Sequence, residues 1–250
     1  MSLSTYAIVT GASRGLGLAL AQGLLQAGTR VLTLSRGHNA ELQAQAAQAG
    51  WSLQQIQVDL ADAAAAQRCA AQLADSLPRD AQRYLLINNA GTVDPVRAAA
   101  GLDDAAAIGA AFGLNVGSVM LLSAAFLRAT SGLEAERRVV NISSGAGRNP
   151  VPGWAVYCAA KAAVDRYTQV AAAENPDARF ASLAPGVIDT AMQVHIRDSD
   201  PADFPGLARF VDMHSSGQLA APAAVAAKIL RYVGRDDFGT TIIDDIRNYD

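Results

Sequence analysis

Tyr157 and Lys161 stand four residues apart in Tyr-Cys-Ala-Ala-Lys, on a stretch that reads as helix, so both side chains leave the same face. A phenol that titrates at about 10 is a poor proton carrier at neutral pH, and an ammonium close by favours its phenolate. Such a pair is suited to moving a proton to or from an oxygen atom. Ser144 lies 13 residues before Tyr157, at the end of a stretch that reads as strand. From there a single carbonyl oxygen could receive hydrogen bonds from both hydroxyls. Asn115 falls inside a long uncharged stretch, where an amide side chain is costly to bury without a partner. Taken alone, Tyr and Lys at this spacing are common on helices that do no chemistry, so the weight rests on their surroundings.

The second candidate for chemistry is Thr10-Gly11-Ala12-Ser13-Arg14-Gly15-Leu16-Gly17, between a short apolar strand and the first helix. Its glycines fall where a backbone must turn tightly, approach a pyrophosphate and pack closely on a sheet, and the helix N-terminus then faces the phosphates. Gly11, Ser13, Arg14, Gly15, Leu16 and Gly17 are thus candidate dinucleotide contacts. Nineteen positions after Gly17, where an acid would accept from a ribose 2′-hydroxyl, the chain has Ser35-Arg36. Arg36, with Arg14, would instead pair with a 2′-phosphate, which points to NADP(H). The bland alternative is that both arginines are merely solvated. Asp59, in Val58-Asp59-Leu60, could accept from the adenine amino group or cap the helix that follows. Lowering a phenol's pKa by about three units needs roughly 4 kcal/mol, which a cationic nicotinamide and Lys161 would share.

The elements that must position these residues alternate throughout. Strands are expected at 6–10, 30–35, 52–58, 84–88, 138–143 and 179–184, and helices at 15–27, 39–49, 61–76, 103–131 and 155–174. Strands joined by crossover helices lie parallel and are covered on both faces. The expectation is therefore an α/β fold: one Rossmann-type doubly wound parallel sheet, a single domain over 1–250, with functional residues just after strands. Beyond Pro185 the regularity fails, and 190–216, rich in Asp, Pro and polar residues, reads as a substrate lid. A helix at 222–234 and a short strand at 240–243 close the pattern.

Composition excludes several classes. The chain has 250 residues, 51% hydrophobic and 17% charged, which is enough apolar surface to fill a core and argues against disorder. A net charge of −3 gives no electrostatic reason to expect nucleic acid. The first residues lack the basic, apolar and cleavage features of a signal peptide, so the cytoplasm is the expected compartment, with Cys69 and Cys158 as reduced structural thiols. The uncharged run 105–127 is long enough for a membrane but diluted by Gly, Ser, Asn115 and alanine, so a buried helix is expected instead. His195 and His214 lack metal-ligand spacing, and no metal is expected.

With these motifs in order, the chain resembles the short-chain dehydrogenase/reductase family along nearly its whole length. Residues 10–17 look like its glycine-rich segment, Asn88-Asn89-Ala90-Gly91 like its central motif, and Asn115, Ser144, Tyr157 and Lys161 like its catalytic tetrad. Pro185-Gly186 is similar to the cofactor turn that follows. The resemblance implies that Tyr157 donates a proton to a carbonyl oxygen, Ser144 polarises that oxygen, and Lys161 lowers the tyrosine pKa and holds the nicotinamide ribose. Asn115 would position a water in a relay to Lys161. It also implies that Ser35, Leu60, Asn88, Ala90 and Gly91 line the nucleotide, and that Ile188 and Thr190 approach the nicotinamide carboxamide.

More locally the chain looks like the sepiapterin reductase and benzil reductase subgroup, whose members reduce vicinal dicarbonyls. On that likeness Ser144, Trp154, Gly186, Met192 and one of Asp244 or Asp245 would contact substrate. A different short-chain reductase, acting on 3-oxoacyl thioesters or hydroxysteroids, and a non-catalytic NADP(H) sensor are the alternatives. A homodimer or homotetramer, formed by the uncharged helix and the tyrosine-bearing helix, is the expected assembly.

Overall fold

Successive residues of the first strand, β1 (Thr5–Thr10), feed two different cores. Ala7 and Val9 pack on one face of the sheet, Tyr6 and Ile8 on the other. A strand apolar on both faces must be covered on both. The remaining strands are β2 (Thr29–Ser35), β3 (Ser52–Gln57), β4 (Arg83–Asn88), β5 (Glu136–Ile142), β6 (Arg179–Ala184) and β7 (Ile243–Asp245). In the computed structural model, which describes residues 4–26 and 28–249, they form one seven-stranded sheet ordered β3-β2-β1-β4-β5-β6-β7, parallel throughout. The ends of the expected 1–250 domain, and residue 27, lie outside the described residues. Chain order reverses between β1 and β4, which opens a crevice at their C-terminal ends.

The helices are α1 (Gly15–Leu24), α2 (Ala40–Ala49), α3 (Ala63–Ser76), α4 (Ala105–Phe112), α5 (Ser118–Thr130), α6 (Ala155–Glu174), α7 (Ala191–Arg197), α8 (Leu207–Ser215) and α9 (Pro222–Gly234). One face is covered by α1, α2 and α9 through Leu20, Leu42 and Ile229, the other by α3 and α5 through Leu73, Leu122 and Phe126. Caps explain the starts: Asn39 accepts from the Leu42 N–H at 2.8 Å, and Pro222 sits in the first turn of α9, where its missing N–H costs nothing.

Several strand and helix ends shift by one or two residues, and four boundaries differ in ways that bear on the fold. The helix expected at 15–27 ends at Leu24. The helix expected from 61 starts at Ala63, because Asp62, not Asp59, accepts from the Ala64 and Ala65 N–H groups. The long helix at 103–131 is interrupted by one π-helical turn, Gly113–Gly117, between α4 and α5. The last strand starts at Ile243 rather than at 240, because Thr240 closes a turn on Asp237 and pairing with β6 begins with the Ser182 N–H on the Ile242 carbonyl.

The stretch Ala105–Thr130 is long and apolar enough to cross a membrane by composition, and 33% of its most apolar window is buried inside the protein. Its α5 half packs Leu122, Ala125 and Phe126 into the sheet core. The segment 190–216, read from sequence as irregular, carries α7 and α8.

Candidate active site

Side-chain and backbone bonds staple the two lips of the crevice together. The Thr10 hydroxyl accepts from the Asn89 and Ala90 N–H groups, both at 2.9 Å, and Asn89 Nδ2 donates to the Thr10 carbonyl at 2.9 Å. Gly11 has φ +69°, and a Cβ there would lie 2.9 Å from the Ala90 Cα; at Gly17 a Cβ would meet Asn89 Nδ2 at 2.5 Å and the Gly11 carbonyl oxygen closer still. The first turn of α1 thus reaches the loop at a distance only glycine allows. That turn has no side-chain cap and no acid, so its N–H groups are free to meet an anion. Thr190 leans over the same loop, 3.2 Å from where a Gly15 Cβ would be. This cradle fits a dinucleotide pyrophosphate.

Around the cradle the expected nucleotide residues divide into those that face outward and those that do not. Arg14 and Arg36 are exposed, and neither is in an ion pair among the described residues. The Ser35 hydroxyl donates to the Gly37 carbonyl at 3.0 Å, and the Ser13 carbonyl accepts from Asn39 Nδ2 at 3.1 Å, so both shape the turn. Asp59 is exposed and accepts from the Ala61 N–H at 3.0 Å. Leu60 and Ile188 are side chains of the sheet cores, leaving only their backbone for a ligand, while Pro185 is half-buried. Asn88 also turns inward: its Nδ2 donates to Ser123 Oγ at 3.1 Å and to Asn141 Oδ1 at 2.8 Å, and Asn141 donates on to Thr168 at 2.8 Å. Asn88 is therefore a strut between β4, α5, β5 and α6 rather than a ligand contact through its side chain.

The four tetrad candidates do converge. Asn115, 1% exposed, exchanges two hydrogen bonds with the backbone of Thr92, at 2.9 and 3.0 Å, and the π turn is what presents it there. A Cβ on Gly91 would lie 2.9 Å from Asn115 Oδ1 and 3.6 Å from Lys161 Nζ, so the two side chains flank one bare Cα. Lys161, 5% exposed, donates to the Ile142 carbonyl at 2.8 Å, and its Nζ stands 5.6 Å from the centre of the Tyr157 ring. Ser144 begins a single 3₁₀ turn after β5, its hydroxyl accepting from the Ala146 N–H at 3.1 Å.

Among the protein's own groups, burial dominates the Tyr157 environment. Burial pushes the phenol up to about 12, a rise the adjacent Ser144 hydroxyl offsets only in part and the neighbouring Cys158 reinforces. The same burial draws Lys161 down to about 8, against the pull of Asp165. Desolvation is the largest influence on both groups because both side chains are buried.

On the substrate side the chain is closed by aromatic packing. Trp154 is buried rather than an open wall: it stacks on Phe204 at 5.0 Å between ring centres and meets Tyr157 edge-on at 5.4 Å. Phe210 completes the cluster, and Met192 and Val187 pack against it. His195 Nε2 reaches Asp94 Oδ1 at 2.6 Å and Arg97 reaches Asp203 at 2.5 Å, so a histidine–carboxylate hydrogen bond and an ion pair tie 190–216 to the loop after β4. His214 is exposed, and no group of metal-ligating side chains occurs among the described residues.

Of the two acids, Asp244 is not available to a ligand. It is 4% exposed and accepts from Tyr232 at 3.2 Å, Asn248 at 3.2 Å, its neighbour's N–H at 2.7 Å and the Tyr249 hydroxyl. Asp245 is paired with Arg247 at 2.6 Å, and the stem of Arg247 lies over Gly186, whose Cβ would come 3.6 Å from Arg247 Cδ. Sequence reasoning missed Asn89 as a clamp, Phe204 as the anchor of the 190–216 segment, and Arg148 with Asp165 behind the site. Asn89 lay in a motif already singled out. The others carry no local signal, since their partners are distant in sequence.

The comparisons agree with this geometry. The family model for short chain dehydrogenase matches residues 5–201. Benzil reductase ((S)-benzoin forming) from Bacillus cereus is 36% identical over 238 residues, 93% of this chain and 95% of that one. Sepiapterin reductase from Rattus norvegicus is 36% identical over 242 residues, 92% of each. A short chain dehydrogenase from Burkholderia cenocepacia, solved in complex with NADP, superposes with a TM-score of 0.75 at 26% identity, over 97% of this chain and 95% of that one. A doubly wound sheet, a glycine cradle at its switch point and an Asn-Ser-Tyr-Lys cluster beside it make this chain an oxidoreductase of the short-chain dehydrogenase/reductase family, which works with NAD(P).

Proposed function

We propose that the protein is an NADPH-dependent carbonyl reductase acting on a vicinal dicarbonyl, with Tyr157 as general acid. The observation that carries this reading is the convergence of Ser144, Tyr157 and Lys161 beside the glycine cradle, with Trp154 and Phe204 closing the far side. The bound cofactor supplies the hydride. Tyr157 holds the proton for the carbonyl oxygen, and its high pKa keeps that proton in place until charge develops on the substrate. Ser144 donates to the same oxygen and fixes its position. Lys161, cationic below about pH 8, favours departure of the phenolic proton and is placed to hold the nicotinamide ribose. Asn115, locked on Thr92, holds the floor next to Lys161 and is the candidate to position the relay water.

Unpaired Arg14 and Arg36, with no acid at the end of β2, support a cofactor carrying a 2′-phosphate. Similarity to two reductases named for benzil and sepiapterin supports a dicarbonyl substrate. Trp154, Met192 and Gly186 then line the substrate side, and the Asp245–Arg247 pair forms its rim. The segment 190–216 acts as the lid. We place the contact of a homodimer or homotetramer on the outer faces of α5 and α6, where Met120 and Val170 are exposed.

The test is NADPH oxidation with benzil, sepiapterin, a simple vicinal diketone, a 3-oxoacyl thioester and a ketosteroid, each repeated with NADH. Turnover of the first three with NADPH is the expected result. Turnover confined to the thioester or the steroid would overturn the dicarbonyl assignment, and NADPH binding without turnover of any of them would favour a sensor.

A further inference from the structure

Behind the tetrad lies an ion pair, a buried carboxylate and a partly exposed guanidinium, that the mechanism above does not use. Asp165 follows Lys161 by one turn on α6, so Tyr157, Lys161 and Asp165 occupy one helix face. Its carboxylate accepts from the Ser182 hydroxyl of β6 at 2.6 Å and pairs with Arg148 Nε at 3.1 Å. Arg148 ends the turn that Ser144 begins, and it also donates to the Ser182 carbonyl at 3.4 Å and to the Asp244 carbonyl of β7 at 3.1 Å. One guanidinium thus joins the Ser144 turn, the tyrosine helix and the last two strands of the sheet. We propose that Arg148 and Asp165 are positioning residues for carbonyl reduction, an ion pair that acts on Ser144 at one end and on Lys161 at the other.

The groups around the pair define how it acts. Lys161 is faced by Tyr157 and Asp165 from its own helix, by Asn115 from the π turn and by the Ile142 carbonyl from β5. The charge opposing the discharge of Lys161 is that of Asp165. Arg148 partly cancels it from the turn after β5, and Asp245, at the end of β7, feels Arg148 in turn. The Asp244 carboxylate is turned away toward Tyr232 and Tyr249. Removing one half of the pair should therefore move Lys161 in one direction, and removing the other half should move it the opposite way. A residue that merely braces the fold would not do this.

The experiment uses an unusual feature of the composition: of 20 basic residues two are lysines, Lys161 and Lys228. Protein labelled with carbon-13 at lysine Cε gives two resonances, assigned with Lys161→Met, and Lys228 serves as the internal reference. Lys161 should titrate near pH 8 in the wild-type protein. In Asp165→Asn its midpoint should fall, and in Arg148→Met it should rise, each by about half a pH unit or more. The double variant should return toward the wild-type midpoint, which keeps the test usable if either single variant folds poorly. Midpoints that stay put, or that move the same way in both single variants, overturn the proposal.

The proposal rests on Lys161 taking part in the reaction, so kcat/KM for NADPH-driven reduction is measured across the same pH range. Lys161 loses its charge as pH rises through about 8 while Tyr157 keeps its proton, so reduction should weaken on the alkaline side. That limb should follow the resonance in each variant. Resonances that move while the limb stays fixed would remove Lys161 from the reaction, and the positioning role with it, a failure distinct from resonances that never move.

Discussion

At the β1–β4 crevice the chain is held by close backbone approach and hydrogen bonds to main-chain groups, and under the 190–216 segment it is held by contacts between side chains. Gly11 and Gly17 let two loops approach at a distance that leaves no room for a Cβ, and the Thr10 and Asn89 side chains lock those loops by hydrogen bonds to main-chain groups. The 190–216 segment rests instead on stacked rings, Trp154, Phe204 and Phe210, with an Arg97–Asp203 ion pair and a His195–Asp94 hydrogen bond at its edge. Ring packing fixes volume without demanding one particular residue. The cofactor end is therefore specified by geometry and the substrate end by shape, which allows one reaction chemistry to be paired with many pockets.

Tyr157→Phe tests that separation with the largest effect. Loss of the acid should reduce kcat by roughly 10²- to 10⁴-fold, while NADPH affinity measured by fluorescence stays within a few fold. A comparable loss of NADPH binding would mean that the two ends are not independent.

Phe204→Ala attacks the substrate end by packing alone. The ring is fully buried and faces Gly153, whose Cβ would lie 2.9 Å from Phe204 Cδ2, so nothing large can refill the space from that side. Thermal and urea melts should show a loss of about 3–5 kcal/mol, less where the lid opens locally instead of with the whole fold. The KM for the carbonyl substrate should rise and NADPH binding should hold. A variant as stable as the parent, with unchanged KM, would show that the rings do not hold the lid.

How much of this was legible in the sequence follows the same division. Gly11, Gly15 and Gly17, the Tyr157–Lys161 spacing and the strand ends at Asn88 and Ser144 are local patterns, so sequence placed them at the right sheet edge. The inward turn of Asn88, the sealing of Asp244 by Tyr232 and Tyr249, and the stacking of Phe204 on Trp154 join residues 35 to 53 or more apart or depend on which way a short strand faces. The break of the long helix at the π turn was hidden for a related reason. Gly113, Asn115 and Gly117 read as a weak helix, and only the approach of Ala61, whose carbonyl would lie 3.0 Å from a Gly113 Cβ, shows why bulk is excluded there.

Arg36→Asp probes the cofactor end through a charged side chain rather than through the cradle. A charge-assisted contact to a 2′-phosphate contributes about 1.5–3 kcal/mol, so NADPH affinity should drop roughly 10- to 100-fold while NADH binding is kept or improved. Equal losses for both cofactors would take Arg36 out of phosphate recognition.

The smallest effect belongs to the lid's edge. His195 and Asp94 approach to 2.6 Å, yet both side chains are more than half exposed. Exposed pairs are worth about 0–1 kcal/mol, because solvent screens the attraction and two side chains must be ordered to form it. Asp94→Asn should therefore raise the substrate KM no more than about fivefold and leave the melting midpoint nearly unchanged. The effect should shrink further in high salt, which screens exposed charges and leaves ring stacking intact. If Asp94→Asn instead matched Phe204→Ala in KM, the lid would be latched by charge rather than packed by shape. The substrate end would then be open to control by ionic strength, which the aromatic cluster alone does not provide.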